Sequence, residues 1–433
     1  MQSPSSRPWT VAAVAATLAL SHSASAQQPT QPPAQQGVTT EQRLEQVEAQ
    51  NRELERRMDL LAQDMQGFSL SDVIGPLGEG QPGLGPAASK VYGVDHGVSL
   101  GGYGEFLYEN FESGGPDDEI DALRAVLYLG YRFDENWLLN SEIEFEHGGE
   151  ETGVEFAYLD YLASEAFNVR AGLVLIPMGF MNELHEPTTF YSSHRPEIER
   201  RILPSTWSEV GAGAHGGFGD FVYRTYVVNG FDATGFTAEG LRDGRQKGSE
   251  ALAEDFAVTG RLDWMGLPGT TLGVSGYFGD AGQDQVPDAD VGTAIWEAHA
   301  EWKWRGLRAR GLLTQASLDD VEELNSELGL TGNESVGEEL AGWYAELGYD
   351  VFSWLRPGGE AELIPFVRFE TFDTQDQVPS GFASDPANDV DVLTFGIDWK
   401  PIPGIVVKAD YMDVEDGNDD GSNQFNISLG YVF

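Results

Sequence analysis

Arg124, Arg132, Arg170, Arg224, Arg261, Arg308, Arg310, Arg368 and Lys408 each fall on the face opposite a row of large apolar residues. The chain has only 25 Lys and Arg in all, so nine on alternating polar faces is a concentration. Carboxylates share those faces, among them Glu105, Glu142, Glu144, Glu297, Glu301, Glu346, Glu370 and Asp410. Two kinds of chemistry suit such a set. Opposite charges can neutralise one another across a polar wall, or they can set the field that a charged solute meets in a water-filled space. A carboxylate pair could mimic a glycosidase site, but carboxylates repeated over many strands fit a lining better than a catalytic pair. Nucleophilic catalysis needs a nucleophile beside a histidine and an orienting partner. The seven histidines fall mostly in loops or linker, and no Gly-x-Ser-x-Gly context occurs. The residues predict no enzyme.

A second set of cations lies in one long connection, 178–206, which carries His185, His194, Arg195, Arg200 and Arg201. Folded inward, these would face the carboxylate-rich wall and create a transverse field, with guanidinium groups suited to phosphate or carboxylate solutes. Left outside, they would pair with the acids of the "EIER" stretch. Near the end of the sequence, Asp416, Asn418, Asp420 and Gly421 copy the opening of a calcium loop, but the twelfth position is Ile427. The bidentate Glu of a calcium hand is therefore missing. No resident cofactor is expected. Loosely held Ca²⁺ or Mg²⁺ bridging acidic loops to lipid phosphates is the remaining metal reading.

The elements that must position these charges are strands. In "DALRAVLYLGYRF", Leu123, Ala125, Leu127, Leu129, Tyr131 and Phe133 share one face, and Arg124, Tyr128 and Arg132 share the other. "AIWEAHAEWKW" sets Trp296, Ala298, Ala300, Trp302 and Trp304 against Glu297, His299, Glu301 and Lys303. This period of two predicts sixteen strands, beginning near 98, 120, 137, 153, 167, 208, 221, 253, 270, 293, 307, 339, 361, 390, 405 and 424. Short turns alternate with long acidic or Gly-rich loops between them. An even strand count with that layout is a transmembrane antiparallel β-barrel, which must close so that every backbone polar group is paired in lipid. A soluble β-sandwich or lectin-like barrel also alternates, but does not need sixteen evenly spaced strands with aromatics at their ends. The last strand, "NQFNISLGYVF", ends on Phe433, which reads as an interfacial aromatic and an assembly signal for the machinery that inserts barrels.

Upstream of the barrel (98–433), four segments can be read. Residues 1–26 predict a secretory signal, with Arg7, the apolar run Trp9 to Leu20 and "ASA" at Ala24 to Ala26. The apolar run is too short for an inner-membrane anchor. Residues 27–39 form a Pro/Gln-rich spacer, and 69–97 a Gly/Pro-rich linker. Between them, over 40–68, Leu44, Val47, Asn51, Leu54, Met58, Leu61, Met65 and Phe68 repeat at intervals of three and four. That is a coiled-coil seam, with Asn51 at a buried position where it sets register and strand number. Packing of one amphipathic helix on its own protein is the alternative. A net charge of −46 excludes nucleic acid, and the absence of cysteine removes disulfides and thiolate metal sites.

The stretch "RAGLVLIPMGFMNELHEPTTFYSSHRPEIERRILPSTWSEVGAGAHG" (Arg170 to Gly216), the strand layout and the closing Phe resemble Gram-negative porins, and specifically the phosphate-selective porin O/P-like family. The resemblance implies a homotrimeric passive channel in the outer membrane, in contact with its lipids, with the third loop folded inward and small polar or ionic solutes as cargo. The charge balance departs from that of an anion channel. A general cation-preferring porin is one alternative. A closed barrel serving as a tether to the cell wall, through the coiled coil, is another. A motor-driven receptor would need a folded plug domain, for which the residues ahead of the barrel are too few and too helical.

Overall fold

A computed structural model of the chain describes residues 40–67, 77–78, 80–112, 116–418 and 421–433. The signal, the spacer and the start of the linker lie outside the described residues, as does Asp420. The chain divides into two units, Met1–Phe68 and Ser69–Phe433.

In the first unit, helix α1 spans Thr40–Gly67. Leu44, Val47, Asn51, Leu54 and Met58 are all exposed along it, so the apolar seam is uncovered in the single chain. Leu61 and Met65 fall within the helix, but their side chains are not described. No described helix is long and apolar enough to cross a membrane.

The second unit is a closed barrel of sixteen antiparallel strands. They are β1 (Gly97–Phe111), β2 (Glu119–Arg132), β3 (Trp137–Glu146), β4 (Glu151–Leu162), β5 (Asn168–Leu175), β6 (Ser208–Phe218), β7 (Phe221–Asn229) and β8 (Phe256–Trp264). The second half comprises β9 (Thr270–Asp280), β10 (Gly292–Trp304), β11 (Leu307–Leu318), β12 (Glu339–Tyr349), β13 (Glu362–Gln377), β14 (Asp389–Ile402), β15 (Ile405–Asp416) and β16 (Gln424–Val432). Every expected strand is present, with its start displaced by a few residues at most. Each pairs with its sequence neighbours, and β16 pairs with β1 to close the cylinder, with Tyr103 opposite Val432 and Phe111 opposite Gln424. Phe433 extends that seam by exchanging backbone hydrogen bonds with Gly102 at 2.9 and 3.1 Å. Closure leaves no unpaired sheet edge, which a wall facing hydrocarbon requires.

The two faces of each strand differ as the alternation demands. Outward positions such as Phe278, Trp296, Trp302, Trp343, Phe395 and Leu429 are exposed large apolar residues, while inward neighbours such as Tyr277, Glu297, Tyr344, Thr394 and Ser428 are buried within the barrel. At one end the connections are short, as at 219–220 and 305–306. The second of these turns has positive φ at both residues, 49° at Arg305 and 85° at Gly306, the twist that a two-residue hairpin needs. At the other end are the long connections. L3 (176–207), which includes the short helix α2 (Ile198–Arg201), does not stay there: it packs inside the barrel. L4 (230–255), L5 (281–291) and L6 (319–338), with helix α3 (Val321–Leu328), bury Phe231, Phe236, Leu241, Val291, Val321 and Leu324 in one cluster continuous with L3.

Candidate functional site: the barrel interior and its inward loop

Strand register decides which interior charges meet. Glu301, Arg310, Glu346 and Arg368 are successive cross-strand partners on β10, β11, β12 and β13, so charge alternates around the wall. Arg310 reaches Glu301 at 2.8 Å, and Arg368 lies 2.8 Å from Glu370 and 3.6 Å from Glu346. On the other side, Arg124 stands between Glu105 and Glu146 and also lies 3.5 Å from Glu144. Arg170 holds its partner Asp160 through Nε and Nη2 at 2.8 and 3.0 Å. Arg224 and Arg261 are like-charged partners on β7 and β8, and both are neutralised by Asp263 and by Glu183 of L3. Buried charges need such pairing, since an unpaired ion loses its hydration without replacement.

L3 crosses the lumen and is fastened around the wall. Asn182 staples its base, donating to the carbonyls of Ile176 and Trp207 and accepting from the Trp207 N–H. His185 donates to Glu142 of β3 at 3.1 Å and to the Asn182 carbonyl. Arg310 donates to the Thr189 carbonyl, and Lys408 donates to the Ser192 carbonyl while its ammonium lies 3.6 Å from the centre of the Phe190 ring. Arg308 stacks on Tyr191. The Ser193 N–H donates to Asp410 of β15, and His194 lies 3.1 Å from Glu109 of β1. Glu199 accepts from the N–H groups of Phe180 and Met181 and from the Tyr344 hydroxyl of β12, each at 2.7 Å. L3 is therefore held from β1, β3, β11, β12 and β15 at once.

On the long-loop side of L3 is a cavity of about 490 Å³. Its strand wall carries Glu105, Glu109, Glu119, Asp121, Glu146 and Glu151, and its loop side carries Arg195 and Arg200 of L3 with Arg242 of L4. Arg242 is pushed below its ordinary proton affinity by burial and by the nearby Arg245, Arg200 and Arg195. Nη1 of Arg242 and Nη2 of Arg195 are buried and find no hydrogen-bond partner among the described residues. An adjoining cavity of about 460 Å³ is lined by Glu144, Glu146, Glu151, Glu155 and Lys247. In the first cavity the strand side is mainly acidic, with Arg124 among its carboxylates, and the loop side mainly basic, with Glu197 beside its guanidinium groups, so a net field crosses it.

The sequence-predicted residues thus divide. Arg124, Arg195, Arg200 and Glu144 line the two cavities on the long-loop side. Arg308, Arg310, Arg368, Lys408, Arg261 and Glu142 brace L3. Arg201 turns to Glu197 and to Glu239 of L4. Arg132 donates to the carbonyls of Asp134, Glu135 and Tyr92, fixing a turn. Asp416 accepts from the Asn418 N–H, a local turn bond. Arg242 and Arg245 were missed, although "LRDGRQKG" is a basic run inside a loop and could have flagged them. Also missed was the stretch 80–93, read as linker: it packs on the inner face of the barrel, with Leu84, Ala87, Ala88 and Val91 buried. Its Gly and Pro content suggested a spacer, whereas small residues here permit close approach to the wall.

A protein of Aquifex aeolicus (strain VF5), described as uncharacterized, is 40% identical over 368 residues, spanning 81% of this chain and 83% of the relative. The two belong to one family. No protein-family profile matches the chain. Among solved structures, a loop-deletion variant of OmpT from Vibrio cholerae aligns with a TM-score of 0.52 at 13% identity, covering 78% of this chain and all of the other. OmpF of Salmonella typhi aligns with a TM-score of 0.52 at 10% identity, covering 78% of this chain and 98% of the other. This family's barrel thus has the fold of the sixteen-stranded outer-membrane porins.

Proposed function

We propose that the protein is an outer-membrane porin through which small hydrophilic solutes diffuse passively, filtered where L3 crosses the lumen. The observation that carries this reading is the cavity in which strand carboxylates face Arg195, Arg200 and Arg242. A polar interior with charges of opposite sign across a narrow path selects by size and charge without any chemical step. Most interior arginines are held in ion pairs with wall or L3 carboxylates, so they brace the wall more than they attract anions. The outer ends of the loops are acidic, with Asp319, Asp320, Glu322, Glu323, Glu327, Glu334 and Glu338 in L6 alone. Such a mouth concentrates cations and repels anions. The long loops face the exterior in this reading, and the exposed seam of α1 serves self-association into a trimer.

A second reading keeps the phosphate preference implied by the resemblance to the O/P-like family. It is favoured by the two unpartnered guanidinium nitrogens of Arg195 and Arg242, which together could hold an oxyanion. Swelling of proteoliposomes in neutral sugars of graded size tests the first reading, and repeating it with added phosphate tests the second. Size-graded swelling indifferent to phosphate supports a general pore. Swelling slowed by phosphate supports the anion station. No swelling in any sugar rejects both and leaves a closed barrel acting as a tether.

A further inference from the structure

We propose that the stretch Gln81–Tyr92, just ahead of the barrel, is a second size-determining element of the pore, resident in the lumen at the short-turn end. The inference rests on the pore reading above and adds a constriction in series with L3.

The stretch is built into the wall. The N–H groups of Ala87 and Ala88 donate to the Glu186 carboxylate of L3 at 2.9 and 3.1 Å, so the two lumenal elements are tied together. Asn140 of β3 donates to the Ala88 carbonyl at 2.9 Å. The Tyr92 hydroxyl donates to Asp160 at 2.6 Å and accepts from Arg170 at 2.9 Å, joining a buried ion pair of that wall. Arg132 closes the row on the Tyr92 carbonyl.

The wall is shaped to receive it. A Cβ on Gly130 of β2 would lie 2.5 Å from Val91, and one on Gly101 of β1 would lie 2.9 Å from the Ala87 carbonyl. Within the stretch itself, a Cβ on Gly85 would strike the Glu186 carboxylate. Gly83, at φ +80°, seats beside Glu183 and Arg224. Glycines on both sides of one contact are what close backbone approach requires. The covered wall runs over β1 to β5 and reaches β7. What remains beside the stretch is a cavity of about 580 Å³, bounded by Arg132, Glu135, Glu165, His215 and Arg224. A solute leaving L3 at this end meets a passage narrowed by the chain's own backbone.

The test uses single-channel recordings of the purified full chain, a variant lacking 80–93, and the wall variant Gly130→Val, which displaces Val91 while leaving the stretch intact. Neutral polymers of graded size are added from each side in turn. The deletion is expected to raise conductance about twofold and to admit larger polymers from the short-turn side, with Gly130→Val intermediate. Should the deletion fail to fold, Gly130→Val carries the test alone. Unchanged conductance and unchanged polymer cut-off in a folded variant would overturn the second constriction while leaving the pore intact. No current in any of the three would overturn the pore reading and this inference with it.

Discussion

Glu346 on β12 and Arg368 on β13 stand directly opposite each other in the ladder, with the carboxylate 3.6 Å from a guanidinium that has no exposed surface. Arg368 also holds Glu370 at 2.8 Å, so one cation neutralises two buried acids. Replacing Arg368 by Met leaves Glu370 buried without its cation and Glu346 with only Arg310 opposite, at a cost of about 3–5 kcal/mol. Replacing all three by apolar residues of similar volume removes the charges together and recovers much of that loss. Heat-modified gel mobility of the folded barrel measures both: the single variant unfolds at a lower temperature, and the triple variant recovers toward the parent.

The lipid-facing side tolerates charge poorly. Val274 lies near the middle of β9 and points outward, 55% exposed. Val274→Arg costs about 2–4 kcal/mol in a bilayer. Urea titration of the barrel folded in lipid vesicles checks this.

His185 ties L3 to the wall as an imidazolium, with one ring nitrogen on the Asn182 carbonyl and the other on Glu142. Burial lowers its proton affinity, but the charge and hydrogen bond of Glu142 outweigh burial and raise it above its ordinary value. Its contribution to L3 anchoring is therefore full below about pH 6.5 and fades as pH rises through the raised value. Open-channel current noise should increase over that alkaline limb, and in a His185→Gln variant the noise should be independent of pH there.

Across the cavity, Arg195 and Arg242 supply the positive side of the field. Neutralising both to Gln should move the reversal potential toward cation preference with little change in thermal stability, because among the described residues neither side chain completes a buried ion pair. Recordings under a salt gradient measure the shift.

The alternation made the strands, their number and their outward faces legible, because period two is imposed by the backbone and lipid demands apolar residues on one side. The interior cations were legible as a set, since each follows from the face of its strand. Their partners were not: Arg310 meets Glu301 and Arg368 meets Glu346 only once register is fixed, and register depends on turn geometry and on bulges such as that between Glu105 and Leu107. The path of L3 was likewise open, because Glu199, Ser193 and His185 find their wall partners far away in sequence. The stretch 80–93 was the plainest miss, since Gly and Pro mark a free spacer and a tightly seated backbone alike.

In the proposed pore, the interior is a water-filled path crossed by a charged L3. The most direct test is the reversal potential of the purified protein in a planar bilayer under a KCl gradient. Steady open-channel current is expected, with a reversal potential that shifts toward the cation side when Arg195 and Arg242 are neutralised. A folded barrel that carries no current, or a reversal potential indifferent to those arginines, would contradict it.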